Sequence, residues 1–449
     1  MNLNRLISIS QPAPGLTADH VLAAVKGQPR IYWRGAHDGE SVVGFGSASE
    51  LRAWGKHRFI DIERQVKQLF RGAYFDGEPG ARPRLFGGFA FRDDFLPDHT
   101  WAVFHPAQFV LPHFQYVSAE QSTTLTMNVI VGNDDPIDEL LPALHTALQA
   151  RYLWLCGQRD AKSQAPAAAP DATEAPPTQH PLMSPDAWAD MINTARAQIQ
   201  DGIMTKVVVA RAIALQSQSP LDVDRAIQRL NQRYPDSYRF LFEPQVGHVF
   251  LCATPERLVW LHGKRVQSMA LASTTKRGAT PEQDAELATA LMNSAKDRLE
   301  HDIVARSLRE RFEALCQIYT MPDVPDIMRL SNLMHLITPI EGTLVRKGSV
   351  IALTADLHPT PALGGQPQQA AMNFIRDHEP IPRGWYGAPF GWVDSHLDGE
   401  FIVAIRSAIT HNNEAWLYAG VGIVEASDPA NEWTETTWKF KPMLEALSG

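Results

Sequence analysis

Four acids in two widely separated stretches have the types and spacing to hold a metal ion. Asp297 and Glu300 lie in Ser294-Ala-Lys-Asp-Arg-Leu-Glu-His-Asp302, and Glu432 and Glu435 in Asn431-Glu-Trp-Thr-Glu-Thr-Thr-Trp-Lys439. On a helix, acids three residues apart share one side, about 60° apart around the axis. The side bearing Asp297 and Glu300 continues as Val304, Leu308 and Phe312, an apolar stripe that should face a core. Carboxylates aimed inward are costly unless a cation compensates them. If the two pairs converge, they form an all-oxygen site of the kind Mg²⁺ prefers, completed by waters and a substrate oxygen. The competing reading is two solvated helix faces with ordinary intrahelical ion pairs, such as Glu300 with Lys296.

Other residues stand out against apolar surroundings. Lys206 opens the β-branched strand Thr205–Leu215, a position where lysine is usually solvent-exposed. Glu256 follows Pro255 between two apolar runs. A carboxyl held there has a raised pKa and suits a general acid, unless it pairs with a neighbour such as Arg257. Arg406 sits in the otherwise apolar strand Glu400–Ile409, so it must meet an anion, either a structural carboxylate or a bound one. The stretch 273–278 reads as a polar loop with backbone amides available for an anionic ligand, but it carries no Walker pattern. Gly420-Val-Gly422 is too short for a dinucleotide fingerprint, which rejects nucleotide chemistry.

The elements that must position these residues fall into three parts. Residues 1–158 are β-rich, with runs at 31–33, 42–46, 85–91, 109–111 and 124–131 and helical spacing at 60–70 and 136–152. The pair Gly87-Gly88 lets a neighbouring strand pass close. Residues 159–181, rich in Ala and Pro, read as a mobile surface linker whose flanking sheets can still pack together. Residues 182–449 carry every candidate site residue. Order resumes at Ser184-Pro185, an N-cap with proline at the first helical position. A strand pair over 249–261 and 265–272, a helix with an early break over 281–317, a strand containing His335, and a meander from 386 to 424 follow.

Composition bounds the function. The 449 residues carry 41 Lys and Arg against 50 Asp and Glu, a net charge of −9 that argues against a nucleic-acid surface. The hydrophobic share, 44%, is that of a globular protein with ample core, and no run approaches the roughly 18 apolar residues of a membrane span. Three scattered cysteines without metal spacing, and an N-terminus without a signal-like apolar stretch, lead to the expectation of a cytoplasmic protein.

Eight segments occur together in the order found in chorismate-utilising enzymes, which this chain resembles: 206–211, 253–258, 296–301, 358–365, 386–391, 405–408, 419–424 and 432–435. The segments 85–91 and 109–112 resemble the N-terminal part of menaquinone-type isochorismate synthases. The resemblance implies an α+β fold of large antiparallel β-sheets packed orthogonally, with helices on the outside. It implies Mg²⁺ ligands at Glu300 and Glu432, with Asp297 and Glu435 nearby or water-mediated. It further implies a general base at Lys206, a general acid at Glu256, and a substrate cradle of Arg406, Lys439 and the backbone at Gly420 and Gly422, with His335 lining the pocket. Ser273 and Thr274 stand in the ligand-facing loop, where Ser273 replaces the usual glycine. Relatives that add ammonia carry glutamine at position 206, so no glutaminase subunit is expected here. The expected activity is isomerisation of chorismate to isochorismate. The alternatives are a salicylate synthase that goes on to eliminate pyruvate, a non-catalytic metabolite-binding relative, and a plain scaffold.

Overall fold

The short β-branched and aromatic runs pair into two sheets, one of 13 strands and one of 10 among the described residues. The computed structural model describes residues 4–36, 39–78, 81–120, 122–164 and 176–448. Among the described pairings only Arg5–Pro12 with Tyr74–Asp76 is parallel. Each sheet takes strands from both sides of residues 159–181. Tyr238–Gln245 pairs with Arg30–Arg34 in the larger sheet, and Pro389–Asp394 with Arg84–Phe89 in the smaller. Gly87 is where two strands approach: a Cβ there would lie 1.9 Å from the Gln108 carbonyl oxygen.

An aromatic core holds the sheets face to face. Trp33, Phe240 and Phe250 from the larger sheet meet Phe86 and Phe390 from the smaller, and the Phe240 and Phe390 rings stack at 3.9 Å. Helices cover the outer faces: Ile137–Gln164 and Val223–Arg233 on the larger sheet, Arg58–Phe70 and Ala295–Leu315 on the smaller. In Ala295–Leu315, Val304, Leu308 and Phe312 are all buried. At roughly 2 kcal/mol per buried side chain, that stripe fixes the helix's rotation. Glu300, four residues before Val304, is thereby carried inward with it.

Two elements differ from the sequence expectation, and both differences matter for the site. The run 249–261 is not one continuous strand: His248–Thr254 belongs to the larger sheet, and Arg257–His262, which does pair with Arg265–Lys276, to the smaller, with the crossing at Pro255-Glu256. Likewise 400–409 is not one strand: Gly399–Val403 lies in the smaller sheet and Ser407–His411 in the larger, with the crossing at residues 404–406. Pro255 offers no N–H to a ladder, and Arg406 takes φ +52°, so neither strand continues straight. Sheets packed at a large angle make their corners in this way. The two corners are tied together, since Val403 N–H donates to the Glu256 carbonyl at 3.0 Å and Ala253 N–H to that of Arg406 at 3.1 Å.

Smaller corrections have local causes. The stretch 273–278 is not a free loop, because strand Arg265–Lys276 runs through it against Leu333–Leu344 with a bulge at Ser273. The helix Ile137–Gln164 extends beyond 158 into the expected linker, where Arg159-Asp-Ala-Lys-Ser-Gln164 holds no proline to stop it. Thr178–Pro181 pairs along Lys206–Gln216. Residues 165–175 of the expected linker lie outside the described residues.

Candidate active site

The two tied corners, the bulge and the two acid-bearing helices surround one cavity, with about 60 Å³ open to water. Glu256, Glu300, Arg406, Glu435 and Lys439 line it, together with Ser273, Thr274, His335 and the backbone of Gly420 and Gly422. Lys206, Asp297 and Glu432 stand just behind that lining. Lys206 is 1% exposed, against the expectation for a lysine at a strand start. The strand Gly365–Gln366 pairs beside Lys206 and Val207 and covers that end.

Lysines, not solvent, face three of the four acids. Lys206 Nζ is 3.0 Å from Glu300 Oε1, Lys296 Nζ 2.7 Å from Glu432 Oε1, and Lys439 Nζ 2.6 Å from Glu435 Oε1. Lys296 therefore bridges the two helices and does not form the intrahelical pair with Glu300. Burial pushes the Glu300 carboxyl up, but Lys206, helped by Lys439 and Lys296, outweighs it and holds the group below its ordinary range. Glu432 is shifted up by burial, with Lys296 opposing and Glu435 adding to the shift. Asp297 is also shifted up, by burial first and then by the negative charges of Glu300 and Glu435, against a Ser294 hydrogen bond and Lys296.

Gly422 makes room for this arrangement. A Cβ there would sit 2.1 Å from Glu300 Oε1 and 2.9 Å from Lys206 Cε. Gly422→Ala should therefore displace both groups and lower kcat by about a hundredfold, as misplacement of reacting groups does. The melting temperature should fall by only a few degrees, since such crowding costs about 1–3 kcal/mol, and steady-state kinetics beside a thermal melt would check both. Ser273 adds a contact of its own. Its hydroxyl lies 3.0 Å from Glu300 Oε2 and 2.9 Å from the Asp297 carbonyl, so its one proton serves either acceptor. The serine sits at φ +61°, a conformation that favours glycine, and the hydrogen bond offsets a strain of about 1 kcal/mol.

The opposite wall carries a buried acid and a buried base-like cation. Burial pushes the Glu256 carboxyl up to about 8, although the positive charges of Lys206, Arg406 and Lys439 oppose it. Among the described residues no group hydrogen-bonds that carboxyl, and Arg257 turns away to Glu400 at 2.7 Å. Arg406 is 5% exposed, and among the described residues no carboxylate pairs with it. The structural carboxylate that the sequence left open is therefore not found, and a buried guanidinium without one favours a bound anion. His335 steadies it. Its Nε2 lies 3.3 Å from Arg406 Nη2, which can only donate, so Nε2 accepts and Nδ1–H faces the Ser273 carbonyl at 3.1 Å. Burial, Arg406 and Lys439 lower the His335 pKa to about 3, which keeps the ring neutral as that geometry requires.

Two functional side chains were not singled out from sequence. Tyr386 stacks on Tyr418 at 5.3 Å between ring centres, and the two form an apolar wall of the cavity. The motif 386–391 was noticed, but nothing in residue type alone marks a tyrosine as a wall. Lys296 was recognised only as an intrahelical partner, although its position beside Asp297 was visible.

The donor set fits a hard divalent cation in chemistry: all-oxygen ligands, acids that repel one another, and lysines standing where a counter-ion would. The expected convergence on one point is not reached, since among the described residues no three His, Cys, Asp or Glu side chains group at ligating distance. Lys206 and Lys296 draw Glu300 and Glu432 in different directions.

The chain is similar to known proteins over nearly its whole length. The family described as "Chorismate binding enzyme" matches residues 1–448. Isochorismate synthase MenF of Bacillus subtilis (strain 168) is 35% identical over 428 residues, covering 94% of this chain and 88% of that protein. The salicylate biosynthesis isochorismate synthase of Pseudomonas aeruginosa is 35% identical over 425 residues, covering 94% and 85%. Among solved structures, MenF, the menaquinone-specific isochorismate synthase from Escherichia coli, superposes with a TM-score of 0.77 at 25% identity, covering 100% of this chain and 95% of that one.

Proposed function

The chain belongs to the chorismate-binding enzyme family, and we propose that it is an isochorismate synthase, an isomerase that converts chorismate to isochorismate. The observation that carries this reading is the presence, in one cavity, of a buried arginine with no carboxylate partner and a buried carboxyl with no hydrogen-bond partner among the described residues. Arg406, steadied by His335, and Lys439 hold the substrate carboxylates. Lys206, in the neutral form that a cation bound at Glu300 in its place would favour, takes a proton from water as the water oxygen bonds to ring carbon C2. The ring double bond shifts, and Glu256 gives its proton to the C4 hydroxyl, which leaves as water. A general acid and a general base placed in this way each contribute about 10² to 10⁴ in rate.

Mg²⁺ belongs to the proposal as the cofactor. Held at Glu300 and Glu432 with Asp297 and Glu435 alongside, it would stabilise negative charge delocalised onto the ring carboxylate. The cation would also answer the burial, and after it the repulsion between acids, that push Asp297 and Glu432 up. Incubation with chorismate and Mg²⁺ should give isochorismate and no pyruvate by chromatography. Turnover should stop with a chelator and return on adding Mg²⁺. Pyruvate with salicylate would point to the eliminating alternative, and chelator-resistant turnover would remove the metal from the mechanism.

The proposal extends to the setting. A lysine at position 206 supports water over ammonia as nucleophile, and with it action without a glutaminase subunit. The free cysteines Cys156, Cys252 and Cys316 are compatible with the cytoplasm. No described helix is long and apolar enough to cross a membrane.

A further inference from the structure

Glu256 faces two cavities, not one. Besides the substrate cavity it lines a second, small space with about 20 Å³ open to water, room for about one molecule. Glu256 and Leu258 form its inner end, with Ser268, Val304, Leu308 and Leu357 around it. Arg311, which is exposed, lines it too, so one small space touches both a buried carboxyl and a residue at the surface. Its walls are mostly apolar, but two hydroxyls are spare along the way. Thr360 Oγ1 is buried and has no hydrogen-bond partner, and Ser307 sits on the same lining. A buried hydroxyl without a protein partner is the usual mark of an ordered water.

We propose that this rear cavity is a narrow conduit whose ordered water, held by Thr360 beside Ser307, returns a proton from solvent to Glu256 after each turnover. The inference rests on the assignment of Glu256 as general acid. The proton accounting calls for such a route. In each turnover Lys206 gains a proton as the attacking water forms its C–O bond, and Glu256 loses one as the C4–O bond breaks and water departs. The substrate is balanced, but the two side chains are each left one proton out. Bound product fills the front cavity at that moment and screens Glu256 from water on that side. Among the described residues the Glu256 carboxyl has no hydrogen-bond partner through which protein groups could relay the proton. A water on the Thr360 side can supply it without waiting for product to leave, while Lys206 gives its own proton to solvent once the front cavity reopens.

The test fills the conduit without touching the substrate side. Ser307→Leu combined with Thr360→Val places apolar bulk in the cavity and removes both hydroxyls, and Thr360→Ser keeps a hydroxyl in place. Conversion of chorismate is followed with enzyme in excess, where Glu256 starts protonated, and again over many turnovers. In the double variant kcat should fall about tenfold while the first turnover keeps the wild-type rate, as slowed recovery of a general acid requires. Thr360→Ser should match wild type in both regimes. An unchanged kcat, or an equal loss in the first turnover and the steady state, would overturn the conduit. Should a melting curve show the double variant unfolded, the near-isosteric Thr360→Val alone is judged by the same criterion. Failure of the wild-type protein to form isochorismate would instead sink the assignment of function, so the two failures are distinct.

Discussion

Glu256→Gln will lower kcat by about a thousandfold while chorismate still binds, because an amide keeps the shape of the carboxyl but has no acidic proton to give. Burial dominates the site and holds the group up to about 8 against three nearby cations. In wild type, kcat/KM should therefore fall as pH rises through about 8, where the acid loses its proton. The same shift acts on stability. The folded state binds this proton more tightly than the unfolded chain, whose carboxyl titrates near 4.5, so stability contributed by the group falls as pH rises from about 4.5 to about 8. Glu256→Gln removes that penalty and should raise the melting temperature at pH 8 even as activity collapses. Full activity in the variant, or a lower melting temperature at pH 8, would refute the picture of a protonated buried acid.

Lys206→Gln should likewise abolish water addition, with a loss of about a thousandfold in isochorismate formation. Glutamine can still donate a hydrogen bond to Glu300, and Ser273 Oγ remains 3.0 Å from the other carboxylate oxygen. The variant should therefore fold, with a stability loss of about 1–3 kcal/mol from the weakened charge compensation. Circular dichroism beside product chromatography separates a dead site from a lost fold. Normal isochorismate formation by this variant would exclude Lys206 as the base.

Much of the site could be read in the chain before folding, and the reasons are local. Glu300 lies on the stripe continued by Val304, Leu308 and Phe312, so burying that stripe forces the acid inward. Arg406 in an apolar run likewise announced a charge in need of a partner. What could not be read was where each run changes sheets. Apolar residues continue on both sides of Glu256 and of Arg406 because both sheets are buried there, and periodicity carries no mark of a corner. The lysines' choice of acid was also hidden, since Lys296 reaches a partner 136 positions away. Lys206 seemed exposed by its place at a strand start, and only the pairing of the distant Gly365–Gln366 encloses it.

Because all the chemistry sits after residue 182, trimming the gene to that part is a tempting economy, and the strand pairings argue that it would fail. The cut would strip Arg30–Arg34 from Tyr238–Gln245 and Arg84–Phe89 from Pro389–Asp394. Two raw sheet margins would be left, each with its ladder donors and acceptors unmet. Trp33, Phe86, Trp101 and Phe104 would go as well, leaving Phe240, Phe250 and Phe390 facing water. Such a fragment should clump during expression, and co-expressing residues 1–158 as a separate polypeptide is the remedy the geometry suggests.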